Sequence, residues 1–160
     1  MFNYLIDKIN DASFIEEPFR FVYLENFLSD YHLDIITNNA QIKFPEFPSV
    51  EGMIEYLRYQ GYKPQPFPGC TTDEQAYIQW ASTGTGVKPS HAHGLIEGFG
   101  MAYRMQTFKT QFIEDLMTFL NSMEFLSCIR DKFGISDNVY VETAIQKYLT
   151  GYEISPHPDI

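Results

Sequence analysis

Residues 139–159 read Val-Tyr-Val-Glu-Thr-Ala-Ile-Gln-Lys-Tyr-Leu-Thr-Gly-Tyr-Glu-Ile-Ser-Pro-His-Pro-Asp, and Ile160 follows. The first half alternates. Val139, Val141, Ile145 and Leu149 share one parity, and Tyr140, Ala144, Gln146 and Tyr148 share the other. Such half-polar alternation predicts a strand with one face in a core and the other lining a cavity. Gly151 lets the backbone turn without a Cβ penalty, and Pro156 and Pro158 fix φ on either side of His157 and donate no ladder hydrogen bond. Prolines so placed suit an edge or an irregular strand entry. In extended backbone, residues two apart project from one side, so His157 and Asp159 are spaced to grip one metal ion together. An imidazole beside a carboxylate belongs to the two-histidine, one-carboxylate set, which holds Fe(II) by one face and leaves the opposite positions open.

With those residues in view, Gln146 to Asp159 resembles the iron-binding stretch of prolyl 4-hydroxylase-type 2-oxoglutarate and Fe(II)-dependent oxygenases. There a strand ending in a tyrosine leads through a glycine turn to Pro-His-x-Asp, matched here by Tyr148, Gly151 and Pro156-His157-Pro158-Asp159. Asn26-Phe27-Leu28-Ser29, a strand end before a helix, also resembles the entry segment of such oxygenases. The resemblance implies a jelly-roll core, iron held by His157 and Asp159, and a co-substrate pocket bordered by Tyr148. It implies Fe(II), 2-oxoglutarate as a small-molecule co-substrate, and ascorbate as a supporting reductant. The implied reaction couples oxidative decarboxylation of 2-oxoglutarate to hydroxylation of a C–H bond in a peptidyl proline, another protein side chain or a small molecule. It also implies a second histidine several strands further on, followed by an arginine or lysine for the distal carboxylate of 2-oxoglutarate. Neither comes before Ile160, so the 160-residue chain is expected to bind iron weakly and not to turn over. The rival expectation is a non-catalytic binding or interaction protein that keeps the front half of an oxygenase fold.

The remaining histidines offer less. His91-Ala92-His93 has the same spacing, but it stands among Gly84, Gly86, Pro89 and Gly94 and reads as a loop. His32 reads as a helix-surface residue. Twenty-one acidic against 11 basic residues leave a formal charge of -10, which argues against a nucleic-acid partner, because phosphate tracking rests on Lys and Arg. The 44% hydrophobic and 16% aromatic content argues for a packed globular protein rather than disorder. Cys70 and Cys128 lack the spacing of a zinc ribbon or a disulfide framework and read as free buried thiols. The N-terminus lacks the apolar core of a signal peptide, and no apolar run suits a membrane span, so a cytoplasmic setting without a membrane partner is expected.

Local patterns place the other elements. Residues 19–25 read as a strand, and Ser29 as the cap of a helix from Asp30 to Asn38. Ser49 caps a helix from Val50 to Gln60, after which Lys63 to Gly69, with three prolines, reads as a break in regular structure. Thr72-Asp73-Glu74-Gln75 fits a capping box opening a helix through Ser82. Phe99 to Met105 suits a strand, bent at its start by Gly98 and Gly100. Apolar stripes over Thr110 to Phe133 predict two helices divided at the cap Ser122 and stopped by Gly134. The expected class is α+β: N-terminal helices packed on a partial jelly roll cut short after the His-x-Asp strand. Residues 1–160 are expected to form one incomplete domain, helical and sheet support over 1–138 and the start of the barrel core over 139–160.

Overall fold

Hydroxyl side chains set three of the helix starts. Ser29, Ser49 and Ser122 each sit in extended backbone and accept the amide of a residue three further on. The computed structural model describes residues 1–66, 70–86, 88–93 and 96–154, with 91–93, 96 and 97 described by backbone alone. Phe67, Pro68 and Gly69 of the proline run lie outside the described residues, as do Pro156, His157, Pro158 and Asp159. In chain order the elements are α1 (Tyr4–Asp11), β1 (Phe14–Ile15), β2 (Phe21–Val22), α2 (Asp30–Thr37), α3 (Val50–Tyr59), β3 (Tyr62–Pro64), α4 (Glu74–Thr83), β4 (Ser90–His93), β5 (Ile96–Phe99), β6 (Ala102–Met105), α5 (Gln111–Leu120), α6 (Met123–Phe133), β7 (Gln146–Tyr148) and β8 (Glu153–Ile154). The class is α+β, with six helices and small antiparallel sheets among the described residues. None of these helices is long and apolar enough to cross a membrane.

Contacts divide the chain into two units, Met1–Lys43 with Thr110–Thr143, and Phe44–Lys109 with Ala144–Ile160. The first is mainly helical. Its core has two clusters, Phe2, Leu5 and Leu116 in one, Ile9, Phe125 and Cys128 in the other, with Phe119 and Leu120 packed against both. Leu116 comes from the expected stripe of α5, but α6 buries Phe125 and Cys128 while Met123 and Phe133 of its expected stripe are exposed, because α1 supplies the face that α6 packs on; full burial of an apolar side chain contributes about 1.5–3 kcal/mol. Gly134 ends α6 at φ +66. Lys132 near that end donates to the carbonyls of Asn10 and Ala12, placing a cation at the C-terminus of α1. Ser122→Ala should lower stability by about 1 kcal/mol in urea denaturation, because Ser122 Oγ holds the Phe125 amide at 3.2 Å; an unchanged midpoint would show that the cap contributes nothing.

Two expectations for this unit need correction. His32 is not on the helix surface: it is only 6% exposed. Its ring packs on Phe2, Tyr4, Tyr31 and Phe112, and Nδ1 lies 2.9 Å from the Tyr4 hydroxyl, which also accepts the Ser29 amide. Imidazole has an apolar body that packs among these rings, and the Tyr4 hydroxyl satisfies its Nδ1. The strand expected over 19–25 pairs only at Phe21 and Val22, against Ile15 and Phe14.

The second unit holds two three-stranded sheets, ordered β3-β6-β7 and β4-β5-β8. Three local expectations change here. The cap of α4 is Asp73, whose carboxylate accepts the Ala76 amide at 3.0 Å, one residue later than the capping box puts it. A carboxylate suits the positive helix N-terminus better than the Thr72 hydroxyl does. The expected break over Lys63 to Gly69 begins instead as strand: Lys63 and Pro64 belong to the edge strand β3, where the missing N–H of Pro64 leaves no gap in the ladder. His91-Ala92-His93 is strand rather than loop, paired with Gly98, Glu97 and Ile96, because β5 supplies the ladder that local composition does not announce.

Candidate functional site

The strand expected over 99–105 is two strands, β5 and β6, that belong to different sheets. β7 and β8 run antiparallel to them and change sheets at the same place. Gly98 and Phe99 pair with Ile154 and Glu153, while Ala102, Tyr103 and Arg104 pair with Tyr148, Lys147 and Gln146. Between these ladders Gly100 and Met101 face four residues, Leu149 to Tyr152, so the second strand carries two extra residues and the pair bends as at a bulge. Both glycines there have positive φ, +87 for Gly100 and +80 for Gly151. The backbone bridges the bend from Leu149 N to Met101 O at 3.0 Å and from Tyr152 N to Leu149 O at 3.1 Å.

Helix α4 braces this bend. The buried Tyr77 hydroxyl donates to the Thr150 carbonyl at 2.8 Å, and the Trp80 ring lies so close to Gly151 that a Cβ there would meet Cη2 at 2.5 Å. The helix is anchored in turn by Glu74, whose carboxylate accepts the Tyr103 hydroxyl at 2.5 Å and Arg58 Nε at 3.2 Å. The Arg58 guanidinium also pairs with the second Glu74 oxygen. A sheltered carboxylate held by three contacts from two residues acts as a structural tie. Burial pushes the Tyr77 and Tyr62 phenols up to about 12 and the Cys70 thiol up to about 11. Burial raises Tyr103 further, against the opposing charge of Arg58.

Tyr148 ends β7, 46% exposed, with its ring 4.4 Å from that of Tyr152. By strand parity it shares a sheet face with Gln146 and Arg104. Gln146 Oε1 is buried with no hydrogen-bond partner among the described residues. The alternation read from 139–149 survives as burial: Leu149 is buried and Tyr140 and Tyr148 are exposed, although only 146–148 form a paired strand. His157 and Asp159 lie outside the described residues, six and eight positions beyond Gly151. Among the described residues no three His, Cys, Asp or Glu side chains converge as a metal-ligating group, and both cysteines are free and buried.

Sequence reasoning did not single out Tyr77, Trp80, Glu74 or Arg58 as supports of the bend. Trp80 carried a weak signal as the chain's sole tryptophan, on a helix with little amphipathic contrast. No family model, curated protein or solved structure matches this chain.

Proposed function

We propose that this chain is the iron-binding front part of a 2-oxoglutarate and Fe(II)-dependent dioxygenase of the prolyl 4-hydroxylase type, built on a jelly-roll core that begins with β7 and β8. The observation that carries the reading is the path from β7 through the Gly151 bend into β8 and on to Pro156-His157-Pro158-Asp159. That is the order of strand, glycine turn and ligand pair that the resemblance implies. The donor set supports it too: a neutral imidazole and a carboxylate suit a divalent first-row cation with open positions.

In this reading His157 and Asp159 hold Fe(II), with the carboxylate supplying negative charge to the cation, and Tyr148 borders the co-substrate. Bound iron with 2-oxoglutarate supplies the oxygen chemistry that hydroxylates a C–H bond. The protein's part is to aim β8, which leads in sequence to the ligand pair. Tyr77 and Trp80 on α4 fix the bend from which that strand departs.

The test uses Mn(II) as a paramagnetic stand-in for iron, because two ligands bind too weakly for simple titration. Mn(II) should broaden the backbone NMR signals of Ile154 and Ile160, and His157→Ala should raise the concentration needed by at least about 10-fold. Equal broadening in the wild type, His157→Ala and Asp159→Ala would remove the ligand pair.

A further inference from the structure

A pocket of about 350 Å³ opens beside the Gly151 bend, between α4 and the chain entering β4. Its size suits a small molecule. The Trp80 ring forms one wall, and Gln79, Thr85 and Ser90 contribute polar groups to the rest. Among the described residues that line it, the charged one is Lys88. The ammonium lies 5.7 Å from the centroid of Trp80 and 5.3 Å from that of Phe99, distances at which aromatic faces attract a cation without neutralising it.

Lys88 already shows which group it accepts. Glu153 Oε1 stands 2.8 Å from Nζ, yet the Lys88 side chain is only 22% exposed whereas that of Glu153 is 66% exposed. The cation is sheltered; its carboxylate partner is largely in water. Water screens this pair from the Glu153 side, so a ligand carboxylate whose ring shuts that water out holds the ammonium more strongly than Glu153 does. An incoming carboxylate gains the same sheltered ammonium, and an apolar ring attached to it covers the Trp80 face.

We propose that this pocket binds a small molecule bearing a carboxylate on a flat apolar ring, with Lys88 exchanging its Glu153 partner for the ligand carboxylate and Trp80 taking the ring. The proposal uses neither His157 nor Asp159, and its test does not depend on metal.

Trp80 is the only tryptophan in the chain, so its fluorescence reports the pocket directly. Benzoate should change that fluorescence saturably at millimolar concentration, and benzamide, which lacks the charge, should bind at least about 10-fold more weakly. Lys88→Gln should weaken benzoate by a similar factor, and Glu153→Gln should strengthen it. Inorganic phosphate, an anion without a ring, should compete poorly. No saturable change with benzoate, equal binding of benzamide, or competition by phosphate as strong as by benzoate itself would overturn the proposal. If Lys88→Gln does not fold, Glu153→Gln decides: the exposed Glu153 can be replaced without disturbing the core, and unchanged affinity in that variant would refute the displacement.

Discussion

Gly100→Ala should lower stability by about 2–5 kcal/mol, the sum of about 1–2 for a left-handed alanine and about 1–3 for overpacking. Gly100 holds φ +87, and a Cβ there would stand 2.9 Å from Tyr152 Cα and 3.0 Å from Gly151 O and Tyr152 N. All three atoms are backbone of the neighbouring strand, so no rotamer change relieves the clash. The bend itself would have to open, separating the two ladders on either side of it. Gly84→Ala is the control: its φ is +62, but nothing lies within 4 Å of the added Cβ, so only the backbone term applies. Gly151→Ala should fall between them, because its closest contact is the Trp80 side chain, which can shift. Urea denaturation followed by Trp80 fluorescence ranks the three. If Gly100→Ala loses no more than Gly84→Ala, the tight backbone approach at the bend is not a constraint.

Alkali should unfold the protein through its buried phenols. Tyr62 and Tyr77 are 3% and 0% exposed, and burial lifts both from 10.0 to about 12. Above pH 10 the unfolded chain therefore releases protons that the folded chain retains, and stability falls as pH rises through the folded value; below pH 10 the effect is absent. Each phenol accounts for a loss on the order of 2–3 kcal/mol across that window. Cys70, lifted from 9.0 to about 11, adds to the decline and starts it earlier. Thermal midpoints measured from about pH 8 to about pH 12 should show this slope, and Tyr77→Phe should flatten it. That variant also loses the hydrogen bond to the Thr150 carbonyl, so it starts less stable at neutral pH by about 1 kcal/mol. Parallel slopes in the two proteins would mean that Tyr77 is not held protonated by the fold.

Gly100 and Tyr77 have roles in the fold that the chain alone does not disclose. Gly100 is legible as a bend, but not as the point where one apparent strand becomes two in different sheets. Tyr77 and Trp80 are legible as aromatics on a short helix, but not as the brace of a turn more than 70 residues away. His32 shows the converse limit. Its polarity suggests solvent, yet Phe2 and Phe112, far apart in the chain, close over it, and the Tyr4 hydroxyl meets its Nδ1.

What the sequence determined by itself was local. Ser29, Ser49 and Ser122 announce helix starts because a hydroxyl three residues before an orphan amide can reach it without help from elsewhere. Gly134 marks a helix end because only glycine enters the left-handed region without penalty. The spacing of His157 and Asp159 is equally local, a property of extended backbone. The tertiary structure alone decided the strand status of His91–His93, the burial of His32, the sheet change at Gly100 and Gly151, and the Lys88–Trp80 pocket. Each of these depends on a partner distant in sequence, and a ladder or a cavity wall exists only once the chain has closed the loop between them.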